Sequence, residues 1–264
     1  MKTVHFVSGL PRSCSTLLCN LLAQNPRVHS TGSSPLHEIG YVSRNVFKTD
    51  EAKGMMPLDA EQLYLNYVKG GIQNAFDSLT GRPVVIDKNR SWIGHLDQLF
   101  KIFPDAKVLV PVRDMRGILS SMEKKFRKHP SYFSGTEEKT PGSWTTLEKR
   151  IQGWLNSTPV GIAIERVYEA QSRFKNKLYF VHAEKLTSNP EHEMEKIWEY
   201  LGEESFQHDF NHIEQYTFEH EMGWPYGDHT IKNELKPIEK DWNEVLGRQI
   251  SDTISQKFSW ITNL

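Results

Sequence analysis

The run Val4-His5-Phe6-Val7-Ser8, then Gly9-Leu10-Pro11-Arg12-Ser13-Cys14-Ser15-Thr16, then Leu17-Leu18-Cys19-Asn20-Leu21-Leu22 constrains the fold more than any other stretch. A β-prone run, a loop shaped by glycine and proline, and an apolar-rich segment read as strand, loop, helix. The alternation recurs. A strand is expected at Pro83 to Asp87 with a helix from Ile93 to Phe103, and a strand at Ala106 to Val112 with a helix from Asp114 to Arg127. A last pair comprises the strand Lys177 to His182 and the helix Glu191 to Leu201. The run 106–112 is apolar on both faces, as in a central parallel strand. Strands alternating with helices predict an α/β protein, three-layer α/β/α with a central parallel sheet, whose ligand crevice lies at the carboxyl ends of the strands.

The other segments are less regular. Asn25 to Arg44, rich in Ser, Pro, Gly and His, reads as an irregular connection. Asp59 to Leu79 fits a helix that Gly70-Gly71 would kink or split, and Thr146 to Phe174 a long helix interrupted near Thr158-Pro159. Residues His129 to Ser143 read as a mobile loop, and Gly202 to Leu264 has weak periodicity. With no repeat or linker, 264 residues suit one domain spanning 1–264.

The 32 basic residues are offset by 33 acidic ones, a net charge of -1 that argues against a general polyanion binder such as a nucleic-acid protein. Any anion site must be local. The two cysteines, Cys14 and Cys19, exclude a disulfide framework and favour a reducing compartment. No leader precedes the first strand, and no window approaches ~18 apolar residues. The expectation is a cytoplasmic protein without a membrane partner, or a catalytic domain cut from an anchor. The histidines have no tight metal-ligand spacing, so no metal is expected.

A loop that leaves a strand and enters a helix offers unpaired N–H groups and a positive dipole end to an anion. Pro11 shapes the turn, Arg12 adds a planar charge, and Ser13, Ser15 and Thr16 add hydroxyls. The alternative is an ordinary turn with Ser15 as helix cap. Where a nucleoside-triphosphatase loop ends in Gly-Lys-Ser/Thr, this one has Cys14-Ser15-Thr16, which counts against a nucleoside or nucleotide kinase.

Gly9 to Leu17 resembles the 5′-phosphosulfate loop of sulfotransferases that use 3′-phosphoadenosine-5′-phosphosulfate (PAPS), with Cys14 where that family has glycine. Val108 to Arg116, with Ser121 eight residues after Arg113, resembles the family's strand ending in Arg-Asp-Pro-Arg and its following serine. The late unit Leu178 to Gly202 is similar too, and Gly227 to Lys232 resembles the segment that closes over the nucleotide. The resemblance implies a P-loop nucleotide-binding-like fold and PAPS as cosubstrate without a metal. Pro11, Arg12, Ser13, Cys14, Ser15 and Thr16 would hold the 5′ end, Arg113 and Ser121 the 3′-phosphate, and Lys232 would add a contact.

Sulfuryl transfer needs charge stabilisation and a general base. Arg12 is the candidate for the phosphosulfate and Lys88 for the bridging oxygen. Asn25 to Glu38 resembles the region of tyrosylprotein sulfotransferases that carries a catalytic glutamate, which places Glu38 ahead of His37 as base. The acceptor is a hydroxyl on a sugar, a peptide tyrosine or a small alcohol. Two other readings remain: a kinase of the same fold class, and a nucleotide-binding protein without catalysis.

Overall fold

A computed structural model describes residues 2–55, 60–130, 146–217 and 229–264. Most of the loop expected at His129 to Ser143, together with Trp224 and Gly227-Asp228, lies outside the described residues. The chain runs β1 (Thr3–Val7), α1 (Ser15–Gln24), β2 (Val28–Ser30), α2 (Leu36–Val46), α3 (Asp50–Met55), α4 (Ala60–Leu79), β3 (Val84–Lys88), α5 (Leu96–Ile102), β4 (Val108–Val112), α6 (Met115–Lys128), α7 (Leu147–Leu155) and α8 (Val160–Phe174). It continues through β5 (Leu178–His182), α9 (Ala183–Ser188), α10 (Pro190–Leu201), α11 (Trp242–Leu246), α12 (Arg248–Lys257) and α13 (Ser259–Thr262).

The strands form one sheet in the order β2-β3-β1-β4-β5, so the expected α/β class with a central parallel sheet holds. β1 runs parallel to β3, with Thr3 opposite Val84 and Val7 opposite Lys88, and β2 runs parallel to β3 on its other edge. β1 is buried from Val4 onward, the signature of a strand covered on both faces.

Three expectations need correction. Asn25 to Arg44 is not irregular throughout, because it holds β2 and most of α2. β2 is too short for alternation to register, and the buried residues of α2 are His37 and Gly40, which present no apolar stripe. α4 is one continuous helix through Gly70-Gly71, where neither residue has a neighbour within 4 Å of an added Cβ. Tyr64, Val68, Ile72 and Phe76, spaced by four, bury one face over its whole length and outweigh two glycines that cost ~1 kcal/mol each. Lys88 is the last residue of β3 rather than a residue beyond it.

Other boundaries follow local chemistry. Asp114 caps α6 by accepting from the Arg116 N–H at 2.9 Å. α10 opens on Pro190 and stops at Gly202, whose φ of 74 suits glycine.

The chain divides into two compact units, residues 1–8, 16–108 and 206–233 in the first and 9–15, 109–205 and 234–264 in the second. In the first, Phe6 is fully buried and meets the Trp92 ring edge-on at 5.0 Å, and Leu18, Leu21 and Leu22 of α1 and Val85 and Ile86 of β3 are fully buried as well. In the second, Leu109 and Val110 of β4, Ile118 and Leu119 of α6, Trp154 of α7 and Trp198 of α10 are buried almost completely. Among the described residues no helix is long and apolar enough to cross a membrane.

Candidate functional site

The second unit carries the loop Gly9–Ser15 and the end of β4. The Leu10 N–H donates to the Pro111 carbonyl at 2.9 Å, and a Cβ on Gly9 would lie 2.3 Å from that same oxygen. Glycine is therefore required for the loop to dock on the strand. The Ser13 hydroxyl donates to the Leu10 carbonyl and closes the turn. Arg12 and Cys14 have φ of 57 and 62, the left-handed region that few residues with a Cβ adopt. The sequence expectation for Cys14, a residue standing where glycine is usual, thus meets a backbone that favours glycine. Burial pushes the Cys14 thiol up and keeps it protonated, with Arg113 and Arg12 only partly opposing this.

Arg12, expected at the 5′ end of the nucleotide, contacts both residues expected at its 3′-phosphate, Arg113 and Ser121. Arg12 Nε donates to Ser121 Oγ at 3.2 Å, and Arg113 Nη1 donates to the Arg12 carbonyl at 3.0 Å. Arg113 Nε is buried and has no hydrogen-bond partner among the described residues. A buried guanidinium donor without an acceptor is costly, and an anion would satisfy it. The guanidinium lies across α6 at Gly117, where an added Cβ would be 2.7 Å from Nε. At the start of α6, Asp114 pairs with Arg116 at 2.5 Å.

In the first unit, Thr16 at the start of α1 is a junction. Its hydroxyl meets Lys88 Nζ at 3.2 Å and His229 Nδ1 at 3.1 Å. The Lys88 side chain, 7 % exposed, is held close to the helix start rather than extended into solvent. In the late segment it is His229 that reaches the loop helix, while Lys232 is exposed. Asn20, which the sequence reading did not single out, binds that segment: Oδ1 accepts from the N–H groups of Tyr216 and Thr217, and Nδ2 donates to Thr217 Oγ1 at 2.8 Å. The Gln215 amide then spans to the His229 carbonyl and the Ile231 N–H.

The two candidate bases differ in setting. His37 is buried among Trp92, Tyr41 and His95, with its Nε2 2.9 Å from His95 Nδ1. Glu38 is exposed, and its carboxylate accepts from Asn89 Nδ2 at 2.8 Å and Ser91 Oγ at 3.3 Å. Trp92 is buried, and its Nε1 donates to Asp87 Oδ2 at 2.7 Å. Among the described residues no group of three or more His, Cys, Asp or Glu is placed to hold a metal ion.

A parallel sheet with a strand-loop-helix turn that lacks the P-loop lysine defines a P-loop-like α/β fold. The chain belongs to the sulfotransferase family, whose model matches residues 5–208. Its fold is shared with the sulfotransferase domain of the Synechococcus PCC 7002 olefin synthase, at a TM-score of 0.57 and 18% identity over 98% of this chain and 96% of that one. The sulfotransferase domain from the curacin biosynthetic pathway matches at 0.57 and 15% identity, over 98% and 97%. A sulfotransferase from Alicyclobacillus acidocaldarius matches at 0.52 and 14%, over 99% and 96%. No curated protein matches the chain.

Proposed function

We propose that residues 1–264 act as one sulfotransferase domain that moves the sulfuryl group of PAPS to an acceptor hydroxyl without a metal. The observation that carries this reading is the convergence of Arg12, Arg113 and Ser121, with a buried Arg113 donor left to be satisfied. Arg113 and Ser121 take the 3′-phosphate, the group that separates PAPS from ATP. The loop from Pro11 to Thr16 takes the 5′-phosphosulfate, with Arg12 supplying charge.

In the transfer, the acceptor oxygen bonds to sulfur as the bond from sulfur to the bridging oxygen breaks, and adenosine 3′,5′-bisphosphate leaves. Charge grows on the bridging oxygen, where Lys88 stabilises it. The acceptor proton passes to Glu38, which is preferred over His37 because its carboxylate is exposed while that imidazole is enclosed. Arg12, Arg113 and Lys88 supply the positive charge that a kinase draws partly from magnesium. The protein is expected to work in the cytoplasm, and the loop segments that would select a sugar, a peptide tyrosine or a small alcohol leave all three as acceptors to be screened.

Thermal unfolding in the presence of a chelator tests the donor. Adenosine 3′,5′-bisphosphate should stabilise the protein more than ATP or AMP. Equal or greater stabilisation by ATP would overturn the reading. Turnover of PAPS against 4-nitrophenol, a tyrosine peptide, octanol and a methyl glucoside then separates an enzyme from a binding protein.

A further inference from the structure

We propose that Asn89 is a positioning residue for sulfuryl transfer: it holds the Glu38 carboxylate as an acceptor, ready to take the proton of the incoming hydroxyl. The inference rests on the reading of Glu38 as base. Asn89 directly follows Lys88, the end of β3, and its side chain is fully engaged. Oδ1 accepts from the Ser91 N–H at 2.7 Å, which fixes which end of the amide is oxygen. Nδ2 must then face the opposite way, and it donates to the Ser34 carbonyl at 2.6 Å and to Glu38 Oε2 at 2.8 Å. A flipped amide would set oxygen against two oxygens and lose all three bonds.

Ser91 Oγ donates to the second carboxylate oxygen of Glu38 at 3.3 Å, and His37 Nδ1 lies 3.4 Å from that same oxygen. The Glu38 side chain is 54 % exposed, a setting in which a glutamate ordinarily samples many rotamers at little cost. Donors on both oxygens instead fix the plane of the carboxylate. The clamp is also anchored. The Ser34 N–H donates to the Lys88 carbonyl at 3.0 Å, and Ser34 Oγ accepts from the Leu36 N–H at the first residue of α2. The start of the helix that carries Glu38 is thereby tied to the strand that ends in Lys88. A base held to a fixed place contributes through orientation, which a loose surface carboxylate cannot do.

The discriminating variant is Asn89→Asp. It keeps an oxygen for the Ser91 N–H, so the turn at Ser91 is preserved, but it removes the bonds to the Ser34 carbonyl and to Glu38 and sets a carboxylate beside Glu38. With PAPS and the best acceptor of the panel above, kcat should fall at least tenfold, while the KM for PAPS and the Kd for adenosine 3′,5′-bisphosphate stay within about twofold. Ser91→Ala, a milder change, should lower kcat several-fold. On a Glu38→Gln background, Asn89→Asp should reduce the residual kcat less than twofold, a non-additivity that general loosening of the fold would not produce. If Glu38→Gln abolishes turnover and both Asn89→Asp and Ser91→Ala leave kcat intact, the positioning role is overturned and the proposed activity stands. If Glu38→Gln turns over normally, or the unsubstituted protein acts on no acceptor, the reading of the base or of the activity falls and the inference falls with it.

Discussion

Cys14 and Gly117 occupy positions where a single Cβ decides the local outcome, and they do so in opposite directions. Cys14 adopts φ 62 with a side chain in place, at ~1 kcal/mol of strain that glycine would not carry. Cys14→Gly should raise the thermal midpoint by roughly 2 °C, after the greater flexibility of glycine in the unfolded chain is set against the relief. The Kd for adenosine 3′,5′-bisphosphate, read by calorimetry, should stay within twofold. A lower midpoint would mean that thiol packing outweighs the backbone. Gly117→Ala acts on the neighbouring arginine instead, because its Cβ would press against Arg113 Nε at 2.7 Å and Cζ at 3.2 Å. The guanidinium is the far end of a flexible side chain and can swing aside at little cost to folding, but the bond from Nη1 to the Arg12 carbonyl goes with it. Bisphosphate affinity should drop at least tenfold with the midpoint shifted by less than about 3 °C. Unchanged affinity would remove Arg113 from the phosphate site.

At the scale of elements, α6 and α7 are joined by a buried charge cluster. Glu123 of α6 has no solvent exposure and accepts from Arg150 of α7 through Nε and Nη2, each at 2.8 Å, and from Arg127 at 2.7 Å. The Arg150 guanidinium also lies over the Phe126 ring at 4.3 Å. Removing one side of a buried pair leaves a charge stranded, so Arg150→Ala should cost about 3 kcal/mol in urea unfolding. The double variant Glu123→Leu/Arg150→Met should recover most of that, because it removes the charge as well as its partner. A neutral Arg150→Ala would assign Glu123 to Arg127 alone. Charge pairs of this kind are invisible in a one-dimensional pattern, and the same limit explains what the sequence did and did not reveal. β1, β3, β4 and β5 were legible because each is a largely apolar run of five residues, whereas β2 is three residues long and α11 and α13 are too short to build a period. The residues proposed for the phosphates were legible because each sits inside a contiguous motif. Asn20 and Asn89 were not, since their roles arise only when the chain brings Tyr216 to Asn20 across 196 residues and Asn89 to Glu38 across 51.

The stability of the whole molecule against pH depends on buried groups whose effects oppose each other. Burial pushes the Asp87 carboxyl up to about 6, although Ser34, Trp92 and Thr31 all donate to it. His5 and His208 are pushed down to about 4, again by burial. Between about pH 4 and 6 the unfolded chain has lost the Asp87 proton and the folded protein keeps it, so the folded state binds more protons and this residue makes stability fall as pH rises. For the histidines the unfolded chain binds the proton first, so over the range from about 4 to 6.5 they make stability rise with pH. With two histidines against one aspartate, the acid sensitivity these three groups impart is about half of what the histidines alone would give. Asp87→Asn removes the opposing contribution while leaving an oxygen to accept from Trp92. Its stability relative to the unsubstituted protein should therefore climb by about 2–3 kcal/mol between pH 4 and pH 6 and then level off. Urea midpoints at pH 4, 5, 6 and 7 for both proteins measure this directly, and parallel pH curves would mean that the Asp87 carboxyl ionises alike in the folded and unfolded chain.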